Sequence, residues 1–302
     1  MSSLPLRQLA PSEYPPLLRE IPQPPKELWA EGNLPPPDIA LLAVVGSRQY
    51  TTYGKQVVEQ LIAGLAGYPV GIVSGLALGI DALAHEAALT HGLYTIAVPG
   101  SGLGSAVLYP ASNRRLATRI VDAGGGLLSE LAPDTRAAQW TFPQRNRIMA
   151  GMCIATLLIE AGEKSGTLIT ARMAVDYNRE LLVVPGSIFS PTSRGTHQFL
   201  KLGATPVTCA ADILEVLHIT PVASATTNTT ADSISPESTL VLSHLPEPTD
   251  RDTLIRRLGL PVPEANILLM QAELEGHIVV EGGIYTALTY LPPDTALGQL
   301  FS

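Results

Sequence analysis

The sequence predicts an α/β protein: a mainly parallel sheet with helices on both faces, then a small C-terminal domain of helices and a hairpin. Three observations carry this. From residue 40 to about 217, short apolar runs alternate with segments of helical period, and such alternation implies parallel strands joined by crossover helices. A Ser/Thr/Ala/Pro stretch at 221–237 then breaks the pattern. Beyond it come three short helical patterns and two β-prone segments around Gly282-Gly283, which is a winged-helix plan.

The elements follow in order. Residues 1–38 are rich in Pro and punctuated by Leu17, Leu18, Ile21, Leu28 and Trp29; they read as an arm packed on the core with little regular structure. Ala40–Val45 is a continuous apolar run suited to a strand buried on both faces. Tyr53–Gly67 places Val57, Val58, Leu61, Ile62 and Leu65 at helical spacing. The same reasoning gives strands at 70–73, 95–98, 127–129, 154–159, 181–184 and 206–207. It gives helices at 80–91, 115–123, 145–152, 167–178, 195–202 and 211–217. After the break, helices are expected at 239–244, 251–258 and 263–274, and hairpin strands at 278–280 and 284–286. The expected organisation is an arm (1–38), an α/β domain (39–220), a flexible linker (221–237), a winged-helix domain (238–290) and a tail (291–302).

Composition narrows the class. The chain has 302 residues and a formal net charge of −8, which argues against nucleic acid until its distribution is seen. Residues 40–215 carry 13 basic and 12 acidic side chains, whereas residues 232–302 carry 3 and 10. A nucleic-acid footprint is a local feature, so the near-neutral α/β domain can hold one. Cys153 and Cys209 both sit beside apolar residues and read as buried thiols in a reducing compartment. No basic-then-apolar leader and no membrane-length apolar run is visible, so the expectation is a cytoplasmic protein without membrane association.

The candidate site is a band of Gly, Ser, Arg and Asn segments, each following a strand: Gly46-Ser47-Arg48, Ser74-Gly75, Asn113-Arg114-Arg115, Arg145-Asn146-Arg147 and Lys164-Ser165-Gly166-Thr167. In a parallel sheet such segments converge on one rim, where ligands bind. Small residues admit the ligand to the backbone, and helix starts attract anions. The arginines favour a phosphate-bearing partner. Of Arg145 and Arg147, one suits the ligand and one an internal lock with Glu130 or Glu160. Asp81 and His85, four apart on one helix, form the best acid–base pair available and read as structural. No G-x-G-x-x-G, Walker loop or G-x-S-x-G elbow occurs, and the six histidines lack ligand spacing. The sequence therefore predicts a bound rather than a transformed partner, with no catalytic residue, no metal and no cofactor.

Taken in order, the segments resemble the DNA-processing protein A (DprA, Smf) family. The matching stretches are Val44–Arg48 with Tyr53-Gly54, Ser74–Ala77 with Gly79–Asp81 and Ala84-His85, Tyr109-Pro110 with Asn113, Ser129-Glu130, Phe142-Pro143 with Arg145–Arg147, Glu160 with Ser165–Arg172, and Val184–Gly186. The tail from about 236 resembles the family's winged-helix domain. The resemblance implies a Rossmann-like domain that binds single-stranded DNA, dimerises, and helps load the recombinase RecA in natural transformation. It maps the family's basic pocket onto Arg48 and the Asn113–Arg115 region. The alternative from another class is an enzyme acting on nucleotides; Pro99-Gly100-Ser101 and Pro185-Gly186-Ser187 only echo the loop such enzymes carry. The third helix of the winged-helix domain is acidic and apolar, with no Lys or Arg, so it is expected to meet protein rather than DNA.

Overall fold

The computed structural model describes residues 5–220 and 234–287, which form two units divided after Pro221. The parallel part of the first unit comprises β3 (Ala40–Val45), β4 (Val70–Ser74), β5 (Tyr94–Ala97), β6 (Gly126–Ser129), β7 (Ala155–Leu158), β8 (Glu180–Val183) and β9 (Thr205–Pro206). Two strands of the arm, β1 (Arg7–Gln8) and β2 (Trp29–Gly32), complete a nine-stranded sheet in the order β1-β2-β6-β5-β4-β3-β7-β8-β9. All pairs from β6 to β9 are parallel; β2 joins β6, and β1 joins β2, antiparallel.

Period two sorts the strand residues onto two faces. Leu42, Val44, Ile72, Leu157 and Leu182 pack under α1 (Thr52–Ala63), α2 (Ile80–Thr90) and α7 (Ala210–Val216). Leu41, Ala43, Val45, Val73 and Val183 pack under α4 (Thr141–Met152), α5 (Thr167–Asp176) and α6 (Arg194–Lys201). α3 (Arg114–Asp122) covers Ala97 and Leu127.

The arm differs from the expectation of little regular structure. Besides its two strands, it sends Leu9, Tyr14, Leu18, Ile21 and Leu28 into the core beside α4. Gly151 of α4 makes this possible: a Cβ there would meet Ile21 Cγ2 at 2.7 Å and Leu18 Cδ1 at 3.3 Å. β1 and β2 carry no apolar run, and their ladder depends on a distant strand, so no local signal announced them. α4 also begins four residues before the expected Arg145. Thr141 Oγ1 donates to the Gly100 carbonyl (2.6 Å) and accepts from Ala138 N (3.1 Å); Pro143 fits the first turn, whose N–H groups lack intrahelical partners. Cys153 is buried, and burial raises its thiol pKa. Cys209 is exposed, contrary to expectation: it sits at the N-cap of α7 while Val207 takes the buried place.

The second unit contains α8 (Pro236–Ser243), β10 (Thr249–Asp250), α9 (Arg251–Leu258), α10 (Val262–Leu274), β11 (Ile278–Glu281) and β12 (Ile284–Ala287), with sheet order β10-β12-β11. α8 starts inside the stretch read as linker; residues 221–233 of that stretch and the 291–302 tail lie outside the described residues. Glu275 ties α10 to α8 by accepting from Ser238 Oγ (2.6 Å), Ser235 Oγ (2.8 Å) and Gln271 Nε2 (2.9 Å). These bonds, Ser238 foremost, hold its pKa down to about 2. The outer face of α10 exposes Ile267, Met270 and Leu274. No described helix is long and apolar enough to cross a membrane.

Candidate nucleic-acid interface

The site lies where the strand order reverses, between β3 and β7. The loops that leave these neighbours run to helices on opposite faces of the sheet, and such a divergence opens a crevice at the carboxyl ends of the strands. Here it is a pocket of about 500 Å³, bounded by Gly46–Gln49 after β3, Ser165–Thr167 at the start of α5, and Phe142, Arg145 and Asn146 of α4, with Asp81 of α2 also on its wall.

Arg48 stands at the mouth. It is exposed, and its guanidinium lies 5.2 Å from the centroid of the Phe142 ring. Phe142 in turn packs 5.6 Å from Tyr109, whose ring is also exposed. A Cβ on Gly100 would meet the Phe142 ring at 2.6 Å, so the glycine makes room for this row. Among the described residues Arg48 has no ion pair or hydrogen bond, which leaves its donors free for an anionic ligand. The opposite wall is tied to the loop of Arg48 through Thr167 Oγ1, which donates to the Gly46 carbonyl (2.9 Å).

Arg145 lies deeper and is only 6% exposed. Its Nη1 donates to the carbonyls of Gly75 (2.5 Å) and Val98, and its Nε to Asn146 Oδ1 (3.1 Å). Burial lowers its pKa to about 10, against the pull of Asp81. Asp81 Oδ2 accepts from Gly75 N (3.1 Å). Burial pushes the Asp81 carboxyl above its ordinary range, while Arg145, the Ala77 and Gly75 N–H groups and Arg48 pull it down. A side chain on Gly75 would collide with both Arg145 and Asp81. His85 does not pair with Asp81. Its Nδ1 meets Thr95 Oγ1 (2.8 Å), whose own proton goes to the Ile72 carbonyl (3.0 Å), so Nδ1 carries the ring proton. Burial lowers its pKa to about 3, and the nearby Ser74 carbonyl does not offset this.

The structure thus gathers Gly46, Ser47, Arg48, Arg145, Asn146, Ser165, Gly166 and Thr167 around one pocket. Ser74 is buried and donates to the Val44 carbonyl (2.7 Å), and Gly75 borders the pocket's outer extension beside Tyr109. Asn113 directs its amide to the carbonyls of Leu76 (2.8 Å) and Ala77 (3.2 Å), holding a turn in which Leu76 has φ 58°. Arg114 donates to the carbonyls of Leu108 and Ala106. Arg147 binds Glu130 and the Gln23 carbonyl of the arm, which settles the internal lock as Arg147–Glu130. Arg115 and Lys164 are exposed outside the pocket lining.

Sequence reasoning missed the part played by Glu160. It accepts from Thr51 N (3.0 Å) and Thr51 Oγ1 (2.6 Å) at the start of α1. Its closeness to Gly54, where any Cβ would collide with the carboxylate, explains why Tyr53 is followed by glycine. The matching Gly54 and Glu160 were the only available signals. Among the described residues no cluster of three or more His, Cys, Asp or Glu could hold a metal.

Comparison with known proteins shows the family. Residues 7–218 match the family model of DNA recombination-mediator protein A, and residues 224–283 that of the DprA winged helix domain. The chain is 38% identical to protein Smf of Escherichia coli over 282 residues, covering 91% of this chain and 75% of that protein. It is 43% identical to the DNA processing protein DprA of Streptococcus pneumoniae over 201 residues, covering 67% and 70%. The crystal structure of DprA from S. pneumoniae superposes with a TM-score of 0.65 at 40% identity, covering 70% of this chain and 74% of that one. DNA processing protein A of Helicobacter pylori, described for its single-stranded DNA binding mode, superposes with a TM-score of 0.62 at 28% identity, covering 71% and 96%. With a family model spanning the entire α/β unit and a second spanning the winged helix, this chain belongs to the DNA recombination-mediator protein A family, the family of DprA and Smf.

Proposed function

We propose that the chain binds single-stranded DNA without catalysis, the strand's backbone passing over the pocket between β3 and β7. The observation that carries this is the row Arg48–Phe142–Tyr109. It sets a cation that has no hydrogen bond or ion pair among the described residues beside two aromatic rings, at the mouth of a pocket otherwise lined mostly by small and polar groups. A cation meets phosphate and an aromatic ring meets any base face, so the combination favours single strands and tolerates sequence. Arg145 lends charge from below while its Nη1 and Nε serve the fold. The proposed contact set is Gly46–Arg48, Arg145-Asn146 and Ser165–Thr167, with Lys164 and Arg115 as outlying cations. The family's description as a recombination mediator, and the single-strand binding of its H. pylori member, support a role in handing strands to RecA during transformation, with the chain acting as a cytoplasmic homodimer.

A competition series tests the function. Unlabelled oligo-dT should displace labelled oligo-dT, while duplex of equal length and free TMP should compete at least tenfold less well. Duplex competing equally would remove the single-strand reading. Turnover of nucleotides by purified protein, abolished in Asp81→Asn at unchanged stability, would favour the enzyme alternative.

The winged-helix unit is proposed to stand outside this DNA contact. Its arginines are engaged locally: Arg251 with Asn266 (2.7 Å), Arg256 with Thr253 (2.9 Å), and Arg257 with Glu247 (3.2 Å) and Thr249 (3.2 Å). α10, the helix that would enter a groove, is apolar and acidic. Most DNA affinity comes from phosphate neutralisation. Deleting residues 222–302 should therefore leave oligo-dT affinity within a few-fold of the full chain. A loss of a hundredfold, with the remaining unit folded and dimeric, would assign this unit to DNA binding.

A further inference from the structure

We propose that Asp81 fixes the charge class of ligand that the pocket accepts: one phosphodiester, and not a phosphomonoester dianion. The inference rests on the reading of the pocket as a strand-binding site and adds the reason it takes the interior of a strand.

Among the described residues three charged side chains line the pocket: Arg48, Arg145 and, with its carboxylate ionised, Asp81. Their sum is one positive charge. Asp81 sits in the first turn of α2, behind the loop that leaves β4. In sheets of this kind, N–H groups at such a strand-to-helix turn are the usual seat of a nucleotide phosphate. Here the protein's own carboxylate holds that seat, taking the N–H groups of Gly75 and Ala77. The loop is shaped around it: Gly75 leaves no room for a side chain beside Asp81 and Arg145, and Gly79 has φ 83° with its backbone against Ser47 and Arg48. The next helix start is filled in the same way, by Glu160 on Thr51. Two internal anions therefore stand where free nucleotides would place theirs.

What remains is a pocket with one net positive charge. A phosphodiester carries one negative charge and matches it. A terminal phosphate carries nearly two at neutral pH, and the second faces a carboxylate in a partly desolvated wall, where repulsion is stronger than in water. Burial works against the ionised form of Asp81, whereas Arg145, the Ala77 and Gly75 N–H groups and Arg48 favour it, and the discrimination operates where the carboxylate is ionised. Free nucleotides, inorganic phosphate and 5′-phosphorylated ends are disfavoured relative to internal phosphates.

The test uses the full chain at pH 8 and fixed ionic strength, with labelled oligo-dT as probe and two competitors of one shape: TMP and thymidine 5′-(methyl phosphate). The methyl ester should compete at least tenfold better than TMP. In Asp81→Asn, whose side-chain oxygen can still accept from Gly75, TMP should gain at least tenfold relative to the methyl ester. Equal competition by the two in the unaltered protein, including none by either, overturns the inference, and so does a preference that survives Asp81→Asn. If that variant does not fold, the pair measured on the unaltered protein decides. Failure of oligo-dT itself to bind would instead refute the site reading on which the inference stands.

Discussion

Arg145→Ala should lower the stability of the α/β unit by about 3–5 kcal/mol, the usual cost of leaving a buried charge uncompensated. The residue is buried beneath Gly75 and Val98, and its removal takes a donor from each carbonyl. It also leaves Asp81 without its principal counter-charge, in a site where burial already disfavours the carboxylate. Arg145→Lys should not restore the loss, because one ammonium cannot reproduce a fork that reaches two carbonyls and Asn146. Adding Asp81→Asn to Arg145→Ala should recover part of it, since the stranded charge is then gone. Chemical denaturation of these three variants and of Asp81→Asn alone reads this directly; additive losses would mean that the two side chains are not coupled.

The arm should prove as indispensable as a core helix. Leu18 is fully buried against α4, so Leu18→Ala should cost about 2–5 kcal/mol. Removing residues 5–28 should prevent folding of the α/β unit, because β2 would lose β1, and the face of α4 at Gly151 would be bare. Most domains have a total stability of about 5–15 kcal/mol. A truncated unit that melts within a few degrees of the full chain would reduce the arm to a surface strap.

These two sites show what the sequence reveals and what it hides. The parallel strands and their helices were legible because a doubly covered sheet needs continuous apolar runs, and Ala40–Val45 or Ile154–Ile159 can be little else. The arm was legible as packed, through Leu18, Ile21 and Leu28, but not as strands. Trp29–Gly32 has no apolar period, and its partner, Gly126–Ser129, is remote in sequence. The rim was legible as a place. Its division of labour was legible in part: the sequence predicts that one of Arg145 and Arg147 locks the fold, but only the structure shows that it is Arg147, which turns to Glu130 and the arm while Arg145 lines the pocket. Asn113 and Arg114 have the composition of a phosphate site, but their donors go to backbone carbonyls of the turns at 76–77 and 106–108. Asp81 reads as a structural partner of His85, four residues on along one helix, yet His85 turns to Thr95 instead. Only the fold shows that the Asp81 carboxylate takes the Gly75 and Ala77 N–H groups behind β4.

The central claim is that Arg48 meets DNA phosphate at the mouth of the pocket. It is tested most directly by the salt dependence of oligo-dT binding for the unaltered protein and Arg48→Ala. Each phosphate neutralised on a single strand contributes about 0.7 to the slope of log affinity against log salt. Phe142 holds the guanidinium in place by a cation–π contact of about 0.5–1 kcal/mol, so the contact is preorganised. Arg48→Ala should weaken binding for every sequence tested and flatten the slope by about 0.7 per lost contact, with the melting temperature lowered by no more than a few degrees. Equal affinity and equal slope in a folded variant would contradict the account.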